Sequence, residues 1–186
     1  IRDIRSLDDF NGVWNLRIND LGGDFMISSS QIGPFPEGLQ VGLVNINERK
    51  VLLNFLDHKE VIPNNKNSVY DLKVIAGNQE YVKSMSQEIL SSIPEEFSLG
   101  QNYPNPFNPI TQMEYSLPQS SKVIISIYNV LGQEIKTLVN KEQDYGYHYV
   151  SWDGTDRLGK SVASGVYFTQ MRSDGFSQSK KMLLLK

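Results

Sequence analysis

The 186-residue chain has no cysteine, only 2 histidines, and no apolar run that approaches a membrane-spanning helix. Each shortage removes a class of function. Without thiols there are no disulfide staples, no thiolate nucleophile and no cysteine-based zinc site. His58 and His148 sit in ordinary strand-like or loop contexts with no second ligand at metal spacing, so a surface or partly packed role is the simpler reading of each. A spanning helix needs about 18 consecutive apolar residues. A net charge of −3 makes no electrostatic case for nucleic acid. G-x-S-x-G, Walker A and G-x-G-x-x-G are all missing. The acidic pairs Asp8-Asp9 and Glu95-Glu96 are chain neighbours, and neighbours on an extended chain point to opposite faces. The expectation is a non-catalytic chain with no cofactor and no metal. Its first residues, Ile-Arg-Asp, resemble no signal peptide, so it reads as the C-terminal part of a longer secreted protein.

What is present is a succession of short alternating segments. With 39% hydrophobic and 21% charged residues the chain has material for one or two small cores. Val13–Ile18, the Leu39–Ile46 stretch, Val51–Leu56 and Tyr70–Gly77 read as strands, with Tyr70, Leu72 and Val74 on one face. Asn19–Asp24, Gly33–Gly38 and a polar tip over 64–68 read as turns. Residues 79–94 read as the joint: Tyr81-Val82 closes the first domain, and Ser84–Ser92 is polar with isolated Met85, Ile89 and Leu90. A linker ended by Pro94 is preferred there to a short helix.

From Met113 the alternation is cleaner. Met113, Tyr115 and Leu117 share a face, then Val123, Ile125 and Ile127. Leu131-Gly132-Gln133-Glu134 and Ser173-Asp174-Gly175 are turn sequences. Tyr145, Tyr147 and Tyr149 share one parity. Seven strands are expected in the last ninety or so residues. The fold class expected is all-β, two consecutive antiparallel β-sandwiches of Ig-like type. The divisions are residues 1–82 as an accessory or spacer domain, 83–96 as a linker and 97–186 as the second domain.

One stretch breaks the pattern. Gln101-Asn102-Tyr103-Pro104-Asn105-Pro106-Phe107-Asn108-Pro109 holds three prolines, each fixing φ and removing a donor, so no helix or central strand passes through it. A free linker would have no use for Tyr103 and Phe107. The stretch reads as a rigid segment laid against a new domain. At the far end, Lys180-Lys181-Met182-Leu183-Leu184-Leu185-Lys186 reads as a last strand with Leu183 and Leu185 facing in. A bare apolar edge of that kind is a liability unless something covers or reads it.

These blocks, with Ser116-Leu117-Pro118, Trp152-Asp153-Gly154 and Gly165-Val166-Tyr167 in order between them, resemble the type A C-terminal sorting domain of cargo exported by the type IX secretion system of Bacteroidetes-like bacteria. The Ig-like module also resembles one in flagellar hook-capping proteins. Residues 1–82 resemble, more loosely, the β-sandwiches that precede such sorting domains in large secreted enzymes.

The resemblance implies export across the outer membrane, with the translocon and its processing protease as partners. It also implies attachment to surface lipopolysaccharide, so a secreted or outer-membrane-surface location. By the same resemblance Tyr103, Pro104, Asn105, Pro106, Phe107, Asn108 and Pro109 open the domain, and Gly165, Val166 and Tyr167 mark a core strand. Lys180, Lys181, Met182, Leu183, Leu184, Leu185 and Lys186 form the end that is recognised, by pairing along an available strand edge. Two rivals stay open: a glycan-binding module over residues 1–96, and an Ig-like structural or adhesion module. For Asp153 and Asp156 a structural turn is favoured over a calcium site, because the acids lack EF-hand spacing.

Overall fold

A computed structural model describes residues 11–18, 25–28, 36–55, 59–62 and 70–186. The expected turn at 19–24, the start of the Gly33–Gly38 loop, the tip at 64–68 and His58 lie outside the described residues. The architecture is the expected all-β antiparallel sandwich, with one helix added among the described residues. The chain divides into two compact units, Ile1–Ser92 and Ile93–Lys186.

In the first unit, β1 (Gly12–Ile18), β6 (Tyr70–Gly77), β3 (Gln40–Asn45) and β4 (Lys50–Leu52) form one antiparallel sheet in that order. β2 (Phe25–Ser28) and β5 (Lys59–Ile62) form a separate pair. Leu43, Phe55, Tyr70 and Leu72 are buried together, with Leu16, Ile18, Ile27 and Val74 packed around them. Ile27 thereby lays the short pair over the larger sheet. The 79–92 stretch, preferred as a loose connection in its second half, is a helix, α1 (Gln79–Ser92). Its start is capped: Asn78 Oδ1 accepts the Tyr81 N–H at 2.8 Å. Its end is capped by Arg49, whose guanidinium donates to the Leu90 carbonyl at 3.0 Å. Buried Val82 seats it on the sheet, where a Cβ at Gly42 would lie 2.8 Å from the Val82 methyl.

The second unit has seven strands. β7 (Ser98–Leu99), β8 (Thr111–Leu117) and β11 (Gly146–Trp152) make one sheet, ordered β11-β8-β7. β9 (Ser121–Asn129), β10 (Glu134–Gln143), β12 (Gly165–Ser173) and β13 (Phe176–Leu184) make the other, ordered β10-β9-β12-β13. Between them lie Met113, Tyr115, Leu117, Val123, Ile125, Ile127, Trp152, Met171, Met182 and Leu184, all buried. Each of these strands presents alternate residues inward, which is the period of two that a half-buried strand requires. The β12–β13 connection is a two-residue turn with Asp174 at φ 41 and Gly175 at φ 78, which suits the twist of a hairpin. Trp152 anchors the end of β11. Its ring lies 5.1 Å from Tyr167 edge-on and 5.6 Å from Phe107, and its indole N–H donates to the Thr155 carbonyl at 2.9 Å.

Candidate recognition site

The rigid segment 101–109 and the C-terminal strand meet. Phe107 N–H donates to the Leu183 carbonyl at 3.0 Å, and Leu185 N–H returns to the Phe107 carbonyl at 2.9 Å. Phe107 therefore forms a one-residue parallel bridge to Leu184 on the outer edge of β13. Asn105 extends the pairing with its side chain. Its Oδ1 accepts the Leu183 N–H at 3.0 Å, and its amide donates to the Lys181 carbonyl at 3.4 Å. The Gln101 amide donates to the same carbonyl at 2.8 Å. A proline-rich segment cannot make a strand of its own, so the edge is satisfied by one backbone residue and two amide side chains.

The segment divides by burial. Phe107 is 2% exposed, its ring against Trp152 in the core. Asn102 is also 2% exposed, its amide donating to the Pro104 carbonyl and to Thr111 Oγ1, both at 2.9 Å. Thr111 in turn donates to the Pro104 carbonyl at 2.9 Å. Tyr103 pairs by its backbone with Gln112, yet its side chain is 83% exposed. Pro104, Asn105, Pro106, Asn108 and Pro109 are exposed as well. The Tyr103-Pro104, Asn105-Pro106 and Asn108-Pro109 bonds are cis.

Of the terminal residues, Met182 and Leu184 face the core, while Leu183 is half-buried and Leu185 is 48% exposed. The expected inward pair was Leu183 and Leu185. The register decides otherwise: β12 pairs Tyr167 with Met182 and Gly165 with Leu184, and Tyr167 lies in the core. A slip of one residue exchanges the two faces. Lys181 and Lys186 are exposed and Lys180 is half-buried; the Lys186 ammonium donates to the Val162 carbonyl. Gly165 and Val166 are half-buried at the start of β12, and the Tyr167 hydroxyl donates to the Ala163 carbonyl at 2.8 Å. Burial pushes the Tyr167 phenol above its ordinary value.

The edge expected to be available is thus occupied between Lys181 and Leu185. Gln101, Asn102, Thr111 and Gln178 had not been singled out as site residues. Gln178 completes the seam by accepting the Leu99 N–H at 2.7 Å. For Gln101 and Asn102 the signal is composition, since amides in a proline-rich segment supply hydrogen bonds that proline withholds; Thr111 and Gln178 carry no such local signal.

The carboxylates at 153 and 156 act within their loop. Asp156 Oδ1 accepts the Leu158 and Lys160 N–H groups at 2.9 Å each. Asp153 Oδ1 accepts from the Thr155 hydroxyl at 2.6 Å and from Lys136 at 3.2 Å, and these bonds hold its carboxyl below the usual carboxylate value. His148 stacks on Tyr115 at 5.3 Å. Among the described residues no group of His, Cys, Asp and Glu gathers as metal ligands, and no helix is long and apolar enough to cross a membrane.

An antiparallel Ig-like β-sandwich with its first segment bound to its last strand is the class of domain these features define. The FlgD Ig-like domain family matches residues 110–175. Among solved structures, FlgD from P. aeruginosa is 26% identical, over 40% of this chain and 59% of that one, with a TM-score of 0.32. PorZ, described as an essential bacterial surface component of the type IX secretion system of Porphyromonas gingivalis, is 15% identical, over 61% of this chain and 14% of that one, TM-score 0.35. Dimeric latent PorU from Porphyromonas gingivalis is 12% identical, over 94% of this chain and 18% of that one, TM-score 0.41. This chain spans less than two thirds of each of those structures. No curated protein matches it in sequence.

Proposed function

We propose that residues 97–186 are a non-catalytic C-terminal sorting domain that addresses a larger protein to the cell surface through type IX secretion, with residues 1–82 as an accessory β-sandwich. One observation carries the reading. The two stretches that the resemblance singles out, 101–109 and 180–186, are separated by the whole domain in sequence and are hydrogen-bonded to each other in space. The FlgD Ig-like match ends at residue 175 and starts at 110, so it covers the sandwich body and neither of these stretches. A body serving only as a structural spacer has no need for an exposed Tyr103 and exposed prolines next to a lysine-flanked terminus. A translocon reading this surface would recognise shape and exposed side chains, because the backbone edge beneath is already paired. Lipopolysaccharide as the final attachment and a processing protease as a further partner belong to the same proposal.

The test is a secretion assay. A reporter carrying a signal peptide is fused to residues 79–186, with and without residues 180–186, in a host that has type IX secretion. Surface display that is lost on truncation, with the reporter held in the periplasm, is the expected result. Both fusions remaining in the periplasm would overturn the reading and leave the Ig-like structural module.

A further inference from the structure

The outer face of the β11-β8-β7 sheet carries an arrangement of which the sorting reading uses Tyr103 alone. Tyr147 and Tyr149 are 59% and 60% exposed on β11, while His148 and Val150 between and beside them turn inward. The strand register places Tyr147 opposite Ser116, Tyr149 opposite Glu114, and Ser151 opposite Gln112. Gln112 pairs in turn with Tyr103 on its other side. Directly opposed residues share a face, so three exposed tyrosines lie on one side of one sheet with Gln112, Glu114 and Ser151 among them. The Tyr149 hydroxyl donates to Glu114 Oε2 at 2.6 Å, across to the next strand. That bond ties the exposed Tyr149 side chain to the neighbouring strand β8.

Charge narrows the occupant. Residues 98–103, 111–117 and 145–152, which build this sheet and its margin, include no lysine and no arginine. The opposite sheet exposes Lys122, Arg172 and Lys181. An acidic polymer, nucleic acid or anionic lipid headgroup meets one carboxylate and no cation on the tyrosine face. A neutral sugar meets what it needs, aromatic rings for its C–H faces and amide, hydroxyl and carboxylate groups for its hydroxyls. Side chains two apart on a strand are about 6.8 Å apart, which sets successive rings in a row. We propose that this face binds an extended, neutral polysaccharide chain lying along β11, with sugar rings stacked on Tyr147 and Tyr149. The site lies on the second unit, not on residues 1–96, and stands independently of the sorting reading.

Affinity electrophoresis of the full chain in native gels containing mixed-linkage β-glucan, glucomannan or polygalacturonate tests the proposal. Retardation by at least one of the two neutral polymers is expected, and none by polygalacturonate. Tyr147→Ala and Tyr149→Ala should each weaken it about tenfold, while Tyr149→Phe, which keeps the ring, should weaken it less. Unchanged Trp152 fluorescence, read in a Trp14→Phe background, reports that each variant is folded. No retardation by either neutral polymer, or retardation that survives the double alanine variant, overturns the proposal. Sedimentation of the unliganded chain provides the other arm: a dimer dissolved by Tyr147→Ala would mean that a second copy covers this face, and would also overturn it.

Discussion

Asn105→Ala tests whether the segment 101–109 holds the last strand. The Asn105 carbonyl oxygen takes the Leu183 N–H at 3.0 Å, and its amide reaches the Lys181 carbonyl only at 3.4 Å, so the first bond should dominate. A neutral hydrogen bond at this exposed edge is worth about 1 kcal/mol net, so losing it should speed exchange of the Leu183 amide about fivefold. Amide hydrogen exchange followed by NMR on the full chain reads that change at one residue. The Leu185 N–H bonds to the Phe107 carbonyl at 2.9 Å and not to Asn105, so its protection should stay nearly constant. Asn105→Asp keeps the acceptor and exchanges only the weak donor, so Leu183 should remain protected. Phe107→Ala is different in kind. It removes a ring packed on Trp152, should cost about 3–5 kcal/mol, and should expose Leu183 and Leu185 together. Unchanged Leu183 exchange in Asn105→Ala, or equal loss in Asn105→Asp, would refute the assignment of the Asn105 carbonyl as a substitute strand neighbour.

Three further substitutions probe the second unit. Thr169 is fully buried on β12 and its hydroxyl has no partner among the described residues, so Thr169→Val should stabilise the unit by about 1 kcal/mol. Denaturant unfolding followed by Trp152 in a Trp14→Phe background measures this, and a destabilised variant would mean the hydroxyl is satisfied. Gly154 has φ 68, and a Cβ there would lie 3.3 Å from the Pro109 carbonyl oxygen, so Gly154→Ala should lower stability by about 1 kcal/mol or more. An unshifted melting temperature would show that the turn accommodates a side chain. The Asp153 carboxyl is held low, first by the Thr155 hydroxyl and then by Lys136. Its contribution is therefore present above the ordinary carboxylate value and is lost as pH falls through the lowered one. Asp153→Asn should flatten the acid limb of stability measured by urea titration between about pH 5 and pH 2; an identical limb would remove the loop from the account.

How much of this was legible follows from what one chain can encode locally. Met113-Tyr115-Leu117 and Val123-Ile125-Ile127 announce their buried face because polar residues mostly separate them, and both triads are in the core. The Asp174-Gly175 turn is a local preference and forms as such. Helix α1 was less visible because its seat is made elsewhere: Gly42 clears room for Val82, and Arg49 caps Leu90 from a distant turn. Its buried face includes Ser86, whose hydroxyl donates back to the Val82 carbonyl at 2.7 Å, so the apolar stripe is interrupted at a position that packs. In the terminal run Met182-Leu183-Leu184-Leu185, four apolar residues in succession have no period, and parity passes to the partner strand through the Tyr167–Met182 pair.

The same limit explains the segment 101–109, and it separates what that segment does for the fold from what it offers a partner. Its bonds run to Lys181 and Leu183, almost the full length of the domain away, and no local pattern reports such a pairing. Once they are in place, Asn102 and Phe107 account for its burial, Gln101 and Asn105 for its edge bonds. The side chains of Tyr103, Pro104 and Pro106 are left exposed, although the Pro104 carbonyl accepts from buried Asn102 and Thr111. A domain can close its last strand with amides and one buried phenylalanine. The exposed side chains are surplus to folding, and it is there that substitutions should separate recognition from stability: Tyr103→Ala should leave the melting temperature within about 2–4 °C, as a surface change does, while altering surface display of the reporter. Loss of stability with display intact would make Tyr103 part of the fold and move the recognition surface off this segment.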